Sequence, residues 1–196
     1  ESSFTHKGDK RDLKFNHQKF KKFKDKLIYI TYDEEPPEIG KNLINEKDDE
    51  ATKSFKYIEN AILRENGQRN HILKGLDLAK DDDMILISDV DEIPNLENLD
   101  LSKISEKITL FKQDMFYYKF NLKLPNLDWI GTKGCKKKFL KSPQWLRNIK
   151  DRKYSFYRLD TFFSDTKYID IKTISNGGWH FSNLKTAAEI EFKLKS

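Results

Sequence analysis

The chain has 196 residues, and its 37% hydrophobic and 13% aromatic content is enough to build the core of one domain. The formal net charge is +5 with acids and bases interleaved, so nucleic-acid binding is not expected, whereas phosphorylated substrates or peripheral association with an anionic membrane would suit it. No apolar run approaches the roughly 18 residues of a membrane span, and the single cysteine, Cys135, excludes an internal disulfide and a cysteine-cluster metal site.

The first half of the chain predicts a strand, a helical stretch and a second strand. Residues 27–32 are rich in aromatic and β-branched side chains, which is typical of a strand. In residues 51–80 the apolar positions recur at helical spacing. One stripe of that pattern consists of Phe55, Ile58 and Ile62. Gly67 is expected to separate two helices or to kink one. Residues 84–88 predict a short, fully buried strand. Strand, helix and strand in this order imply a crossover, so 27–32 and 84–88 are predicted to be parallel neighbours.

The second half is more aromatic and less regular. Residues 108–124 alternate loosely and predict one or two strands, and residues 131–138 predict a loop rich in Gly and Lys. Residues 143–149 predict a short helix with a proline at its first position. Residues 184–195 predict a final amphipathic helix, capped by Ser182 or Asn183.

Two carboxylates, Asp89 and Asp91, follow the strand at 84–88 directly. Ligands of open α/β sheets collect at the carboxyl ends of strands, and residues two apart on an extended backbone share a face. Oxygen ligands in this arrangement suit Mg²⁺ or Mn²⁺ carrying a phosphate. The DxD motif is the arrangement of nucleotide-sugar glycosyltransferases, although a bare match also describes a solvated acidic turn.

Other motifs can be compared by their spacing. An EF-hand loop starting at Asp89 would need Gly where Pro94 stands and Glu where Asp100 stands, so it is excluded. A haloacid-dehalogenase-type phosphatase also places Asp-x-Asp after an apolar strand, but usually near the N-terminus and followed by Thr. A phosphatase with Asp89 as its nucleophile is therefore one alternative. A non-catalytic module that binds glycan or nucleic acid is another.

Several segments together resemble one known family. In chain order they are Glu-Asn-Gly-Gln-Arg-Asn at 65–70, Asp-Val-Asp-Glu-Ile-Pro at 89–94, Trp-Ile-Gly-Thr at 129–132 and Gly-Gly-Trp-His-Phe-Ser at 177–182. They are similar to glycosyltransferase family 17, the family of β-1,4-mannosyl-glycoprotein β-1,4-N-acetylglucosaminyltransferase. The resemblance implies a GT-A-like α/β fold, with one catalytic domain over 1–196 and a mixed, mostly parallel sheet flanked by helices. Against the family pattern the first strand is missing and both ends look clipped.

The activity that this resemblance implies is metal-dependent, inverting glycosyl transfer. The donor is expected to be UDP-GlcNAc (UDP-N-acetylglucosamine), and the acceptor is a hydroxyl of a glycan or glycoconjugate. Manganese or magnesium would neutralise the charge that develops on the leaving diphosphate. The expected compartment is the cytoplasm for a bacterial or viral source and the Golgi lumen for a eukaryotic one.

The resemblance also implies a set of metal ligands. Asp91 is assigned to the metal, and Asp89 to the donor's ribose and the metal jointly. Glu92 is either an outer-shell ligand or a salt-bridge partner. His180 is a third metal or phosphate ligand, and its competing interpretation is a core histidine that is hydrogen-bonded to the backbone.

Substrate-binding roles are implied for further residues. Arg69 and Asn70 would bind the nucleotide sugar, and the alternative for Arg69 is a helix-surface ion pair with Glu65. Trp129 and Trp179 would be sugar platforms, and the alternative for them is core packing. An inverting enzyme needs a general base near the acceptor hydroxyl. The candidate bases are Asp114, Asp128, Asp165 and Glu189.

Overall fold

The computed structural model describes residues 1–5 and 7–195. This part of the chain contains α-helices and one mixed β-sheet, and it divides into two compact units. The first, here called the N-terminal unit, comprises Glu1–Ala79 with Ser142–Gln144. The second, the sheet unit, comprises Lys80–Lys141 and Trp145–Ser196. Among the described residues, no helix combines the length and the apolar character that crossing a bilayer would require.

The N-terminal unit is built on one long helix, α1 (Glu50–His71). The helix begins where the Asp49 side chain accepts a hydrogen bond from the backbone N–H of Thr52 at 2.7 Å, which satisfies a donor at the helix start. It continues into a 3₁₀ turn at Ile72–Gly75. Two further 3₁₀ turns precede it, at Lys21–Lys26 and Pro37–Lys41.

Two expectations for this unit were wrong, namely the strand at 27–32 and a break of the helix at Gly67. Residues 27–32 form no strand, and their pairing is an isolated bridge between Ser2 and Tyr32. The apolar stripe of α1 is exposed, and the helix buries Asn60 instead, which exchanges hydrogen bonds with Asn42. Gly67 does not interrupt α1. It makes room for the ring of Tyr32, which a side chain at this position would meet.

In the described part of the sheet unit, six strands form one sheet. They are β1 (Met84–Ile87), β2 (Glu92–Pro94), β3 (Ile108–Tyr117), β4 (Lys123–Lys136), β5 (Ile171–Ile174) and β6 (Gly178–Ser182). The strand order is β1-β4-β3-β6-β2, and β5 also pairs with β3. β1 pairs antiparallel with β4, β3 with β4, and β2 with β6, whereas β5 and β6 run parallel to β3.

The sheet is therefore mixed, as expected, but its described pairings are not mostly parallel. The predicted parallel pairing of 27–32 with 84–88 was wrong, because β1 runs antiparallel to β4 and 27–32 belongs to the other unit. The β3–β4 hairpin closes through the short turn at 118–122, and closing a short loop costs less entropy than a long crossover. This hairpin then offers β4 as the partner of β1.

The sheet core is mainly apolar, with Thr109, Gln113 and Thr132 buried in it, and it lies around β1, β3 and the end of β4. Its fully buried members include Ile108, Leu110, Phe111, Cys135 and Leu146. Residues 131–136, which were expected to be in a loop, are instead the final part of β4, and Lys133 among them is buried.

Two helices complete the described chain. α2 (Pro143–Asn148) has the proline at its first position, as predicted. α3 (Ala187–Lys195) is capped differently from the prediction. Thr186 accepts a hydrogen bond from the N–H of Glu189, while the Glu189 carboxylate accepts from the N–H and the hydroxyl of Thr186. This is a capping box.

Candidate functional site

The acidic motif forms a tight turn between β1 and β2. The carbonyl of Asp89 accepts a hydrogen bond from the backbone N–H of Glu92 at 3.0 Å, and the Glu92 carboxylate accepts from the N–H of Asp89 at 3.1 Å. These reciprocal bonds hold Val90 fully exposed at the tip of the turn. Asp89 and Asp91 therefore flank an exposed tip at the carboxyl end of β1, where the sequence predicted them.

Asp91 and His180 meet beside this turn. The register of β2 on β6 places Glu92 opposite His180, and the N–H of Phe181 bonds to the carbonyl of Asp91 at 2.9 Å. His180 Nε2 consequently lies 3.3 Å from Asp91 Oδ2. Two ligands of one metal ion lie roughly 3 to 5 Å apart, given metal–ligand bonds near 2 Å. The predicted proximity is confirmed, and a role of the pair in metal binding stays a prediction.

The environment of the pair is uneven. The His180 side chain is 9% exposed, whereas that of Asp91 is 41% exposed and faces the solvent. His180 Nδ1 is buried and has no hydrogen-bond partner among the described residues. The imidazole therefore presents one nitrogen to the carboxylate and is fixed in place by the sheet.

Glu92 is the most deeply buried acid of the motif, with 1% of its side chain exposed. Arg147 donates to both of its oxygens, at 2.8 and 2.9 Å, and the indole N–H of Trp129 donates to Oε1 at 3.0 Å. Together with the N–H of Asp89, these donors satisfy a carboxylate that would otherwise be costly to bury. Of its two expected roles, Glu92 takes that of a salt-bridge partner.

Arg147 connects the buried acid to the exposed one. Its Nη2 also donates to Asp89 Oδ2 at 2.9 Å, and its Nη1 donates to the carbonyl of Gly131. Burial alone would lower the pKa of the Arg147 guanidinium, but the hydrogen bonds and charge of Glu92 and the charge of Asp89 raise it above its ordinary value. The guanidinium is therefore a fixed positive charge that orients Asp89.

Sequence reasoning missed Arg147 and the residue that anchors it, Lys133. The Lys133 ammonium is buried and donates to the carbonyls of Arg147 and Ile149 at 2.9 and 2.6 Å, and it also pairs with Asp151. Burial lowers the pKa of Lys133 although Asp151 opposes this. Cations suit the last carbonyls of a helix, so Lys133 holds the end of α2 that carries Arg147.

The two tryptophans differ in their surroundings. Trp129 lies against the site, with its ring centroid 4.9 Å from that of His180 and its N–H bonded to Glu92. Trp179 is opposite Ile93 of β2 and Asp114 of β3, and it is partly exposed. The glycine before it, Gly178, has a φ of +123°, a backbone conformation that residues with a side chain rarely adopt.

Each candidate base has a partner. Asp114 pairs with Lys123 at 2.8 Å, Asp128 pairs with Lys112 at 2.7 Å, and Asp165 pairs with Lys141. Glu189 is used in the capping box of α3.

A groove of about 820 Å³ runs along the 127–130 part of β4. It is lined by Lys112, Leu127, Asp128, Trp129, Ile130, Lys133, Arg147, Asp151 and Thr173. Asp128 is thus a candidate base that lines the same groove as Arg147 and Trp129.

Arg69 and Asn70 belong to the N-terminal unit, whereas the acidic motif belongs to the sheet unit. Arg69 donates to Glu65 at 2.6 Å, which is the ion pair expected as its alternative, and also to the Gln144 side chain. Asn70 accepts a hydrogen bond from the backbone N–H of Gln144 at 3.0 Å. A role of this pair in binding the nucleotide sugar stays a prediction.

The donors present fit a divalent cation that a substrate would help to bind. In residues 1–5 and 7–195, no group of three or more His, Cys, Asp or Glu side chains has an arrangement that would hold a metal by itself. However, Mg²⁺ in phosphate-handling sites is commonly held by one or two carboxylates together with substrate phosphates and water. Asp91 and His180 supply one carboxylate and one imidazole at the exposed side of the site, and Mn²⁺ accepts both ligand types.

No protein-family model, curated protein or solved structure matches this chain. The similarity to glycosyltransferase family 17 therefore stays a prediction that is based on the four quoted segments.

Proposed function

We propose that this chain is a metal-dependent glycosyltransferase that moves a sugar, N-acetylglucosamine in the first instance, from a UDP donor to a hydroxyl of a glycan. The observation that carries the proposal is the pairing of Asp91 with His180 at 3.3 Å, on the exposed side of a turn whose other acid, Asp89, is oriented by a buried arginine. The segments that resemble family 17 contain three of these four residues.

The roles follow from exposure and charge. Asp91 and His180 hold a divalent cation, which when bound neutralises the charge of the leaving diphosphate. Asp89 is held by Arg147 and accepts hydrogen bonds from ribose hydroxyls. Glu92 stays buried and keeps Arg147 in place, so it contacts neither metal nor donor.

The acceptor is placed in the groove beside Trp129. There its hydroxyl attacks the anomeric carbon, the bond to the diphosphate breaks, and the hydroxyl proton passes to a base. We assign this base to Asp128, which lines the groove. Asp114, which is opposite Asp128 in the β3–β4 register, is a matched control. Asp128→Asn should lower the turnover number at least about 100-fold, as general-base catalysis usually contributes. UDP affinity should be retained, and Asp114→Asn should do little.

The proposal is tested by thermal unfolding with a panel of nucleotide sugars, each with Mn²⁺ or with EDTA. We expect UDP and UDP-GlcNAc to raise the unfolding temperature only with the metal, because ligands that bind the native state alone stabilise it. Asp91→Asn should abolish the shift, and Asp89→Asn should reduce it. Asp77→Asn, which removes an exposed carboxylate of the N-terminal unit, is the matched control.

If UDP raised the unfolding temperature as much in EDTA as with Mn²⁺, the proposal of a metal-bridged site would be wrong. A shift produced by beryllium fluoride, with none from any nucleotide sugar, would favour the phosphatase with Asp89 as its nucleophile. Stabilisation by a glycan alone, indifferent to EDTA, would favour the binding module.

A further inference from the structure

A loop of the sheet unit exposes an unusual concentration of large apolar side chains. We call residues 155–163 the aromatic loop. Five of its nine side chains are large and apolar, and they are between 68% and 91% exposed. They are Phe156, Tyr157, Leu159, Phe162 and Phe163. Scattered single exposed apolar residues need no explanation, but a contiguous group of this kind marks an interaction surface.

The aromatic loop is held in this form by its own hydrogen bonds. At its base, the N–H of Lys150 donates to the carbonyl of Thr166 at 2.8 Å, and the N–H of Tyr154 donates to the carbonyl of Tyr168 at 3.3 Å. Within the loop, a 3₁₀ turn at Leu159–Thr161 is closed by bonds to the carbonyls of Arg158 and Leu159. The side chains at the tip are therefore displayed by an ordered backbone.

Cations surround the base of the loop. The ring of Tyr154 is buried, and the guanidinium groups of Arg152 and Arg158 lie over it, 5.0 and 5.2 Å from its centroid. Lys150 and Lys153, which precede the loop in the chain, are exposed. Residues 150–167 carry five basic and three acidic side chains, a net charge of +2. The three acids are each in an ion pair, Asp151 with Lys133, Asp160 with Arg158 and Lys167, and Asp165 with Lys141.

We propose that the aromatic loop docks the protein on the surface of an anionic bilayer, with its apolar tip in the headgroup–acyl boundary and its basic rim against the lipid phosphates. Aromatic residues and leucine beside lysine and arginine are the composition of interfacial anchors. Each basic residue near an anionic surface adds to the attraction. A stable protein partner would need some 20 to 30 residues on each side, with few lysines at the centre. A bilayer needs neither.

The test is flotation of the whole protein with vesicles of phosphatidylcholine alone or mixed with phosphatidylserine, without nucleotide or sugar, so that it does not depend on the proposed activity. We expect binding to the mixed vesicles that weakens as salt rises. Phe162→Ser with Phe163→Ser should weaken it at least about tenfold, because burying one Phe side chain changes an equilibrium constant by that much or more. Lys150→Gln with Lys153→Gln should reduce the preference for phosphatidylserine.

The control is Phe55→Ser with Leu78→Ser, which removes two exposed apolar side chains from the N-terminal unit, and thermal unfolding confirms that each variant is folded. Equal loss of binding in this control would show general adhesion and overturn the proposal. A protein that binds neither kind of vesicle would also overturn the proposal. So would a dimer in sedimentation that only the loop variant loses, since the occupant of the loop would then be a second copy of the chain.

Discussion

At the scale of single residues, the buried pair of Glu92 with Arg147 is the feature on which the candidate site depends. Each partner would be a buried, uncompensated charge without the other, and such a charge is expensive. The pair also joins α2 to the acidic turn, since Arg147 bonds to Asp89 as well. A substitution of either partner would therefore affect both the stability of the sheet unit and the orientation of Asp89.

We expect Arg147→Met to destabilise the protein by about 3–5 kcal/mol, the range found when one partner of a buried ion pair is removed. Urea unfolding measures this. Arg158→Met, which breaks the exposed pair with Asp160, is the matched control and should cost much less. Adding Glu92→Gln to Arg147→Met should recover part of the loss, because the unpaired charge disappears. Equal losses in the two arginine variants would show that the pair is not buried in solution.

The glycine at the start of β6 is a second residue whose identity is fixed by geometry. Gly178 has φ of +123°, and a side chain there would lie 2.9 Å from the Cα of Pro94 and against the carbonyl of Ile93. Gly178→Ala should cost about 1–3 kcal/mol, the usual cost of a strained backbone conformation. Gly40→Ala, where a side chain meets nothing within 4 Å, should be nearly neutral. Similar urea midpoints for both variants would contradict this account.

At the scale of elements, local patterns predicted what local chemistry decides. The strand before Asp89, the helix that begins with Pro143 and the final helix all formed, because apolar runs, a proline at the first position and a capping residue act over a few residues. No strand forms at 27–32, because a strand needs a neighbouring strand to pair with, and the β-propensity of its residues cannot supply one. Gly131, Gly134 and four lysines predict a loop over residues 131–138. In the structure, Gly134 lies against Leu86 and Lys133 is buried against helix carbonyls.

The candidate site was predictable only in part for the same reason. Two acids on one strand end and a histidine after two glycines are visible as motifs. The arginine that orients Asp89 is a single residue in a six-residue helix, 58 positions away, and no spacing rule connects them. The third acid of the motif, Glu92, follows Asp91 directly, and its burial is the one signal that a cation had to be near.

Near the end of β4, the reactivity of the Cys135 thiol can show whether the β1–β4 edge of the sheet opens in solution. Cys135 is fully buried, and burial raises the pKa of its thiol from 9.0 to about 12, although the charge of Lys107 acts in the opposite direction. Because the thiolate is the reactive form, a thiol reagent should label the folded protein far more slowly than the urea-unfolded chain. Labelling at the unfolded rate in native buffer would show that the β1–β4 edge is open.

The sign of the associated pH effect follows from the same shift. The folded state holds the thiol proton up to a higher pH than the unfolded chain does, so stability falls as pH rises from about 9 to about 12. Cys135→Ala removes this component, and its urea midpoint should therefore fall less steeply over that range than that of the natural protein.

At the scale of the whole molecule, exposed ion pairs and caps set the response to acid. Among the described residues, eight acids have pKa values below their ordinary values. In most of these the largest cause is a hydrogen bond from a lysine or arginine, as at Asp48, Asp82 and Asp160, or from a backbone N–H, as at Asp49 and Glu189. Hydrogen bonding to the charged form holds the proton off. The folded state therefore binds fewer protons than the unfolded chain in the acid range.

The consequence is a loss of stability in acid. The stabilisation from these carboxylates is complete above the ordinary values of 3.8 for Asp and 4.5 for Glu, and it disappears as pH falls through the lower folded values. We expect the unfolding temperature to be level from neutral pH to about pH 5 and to fall steadily below about pH 4. The pairs of Asp82 and Asp160 are exposed, so high salt should flatten their part of the fall. An unfolding temperature that stays level to pH well below 3.8 would show that these pairs and caps do not persist in solution.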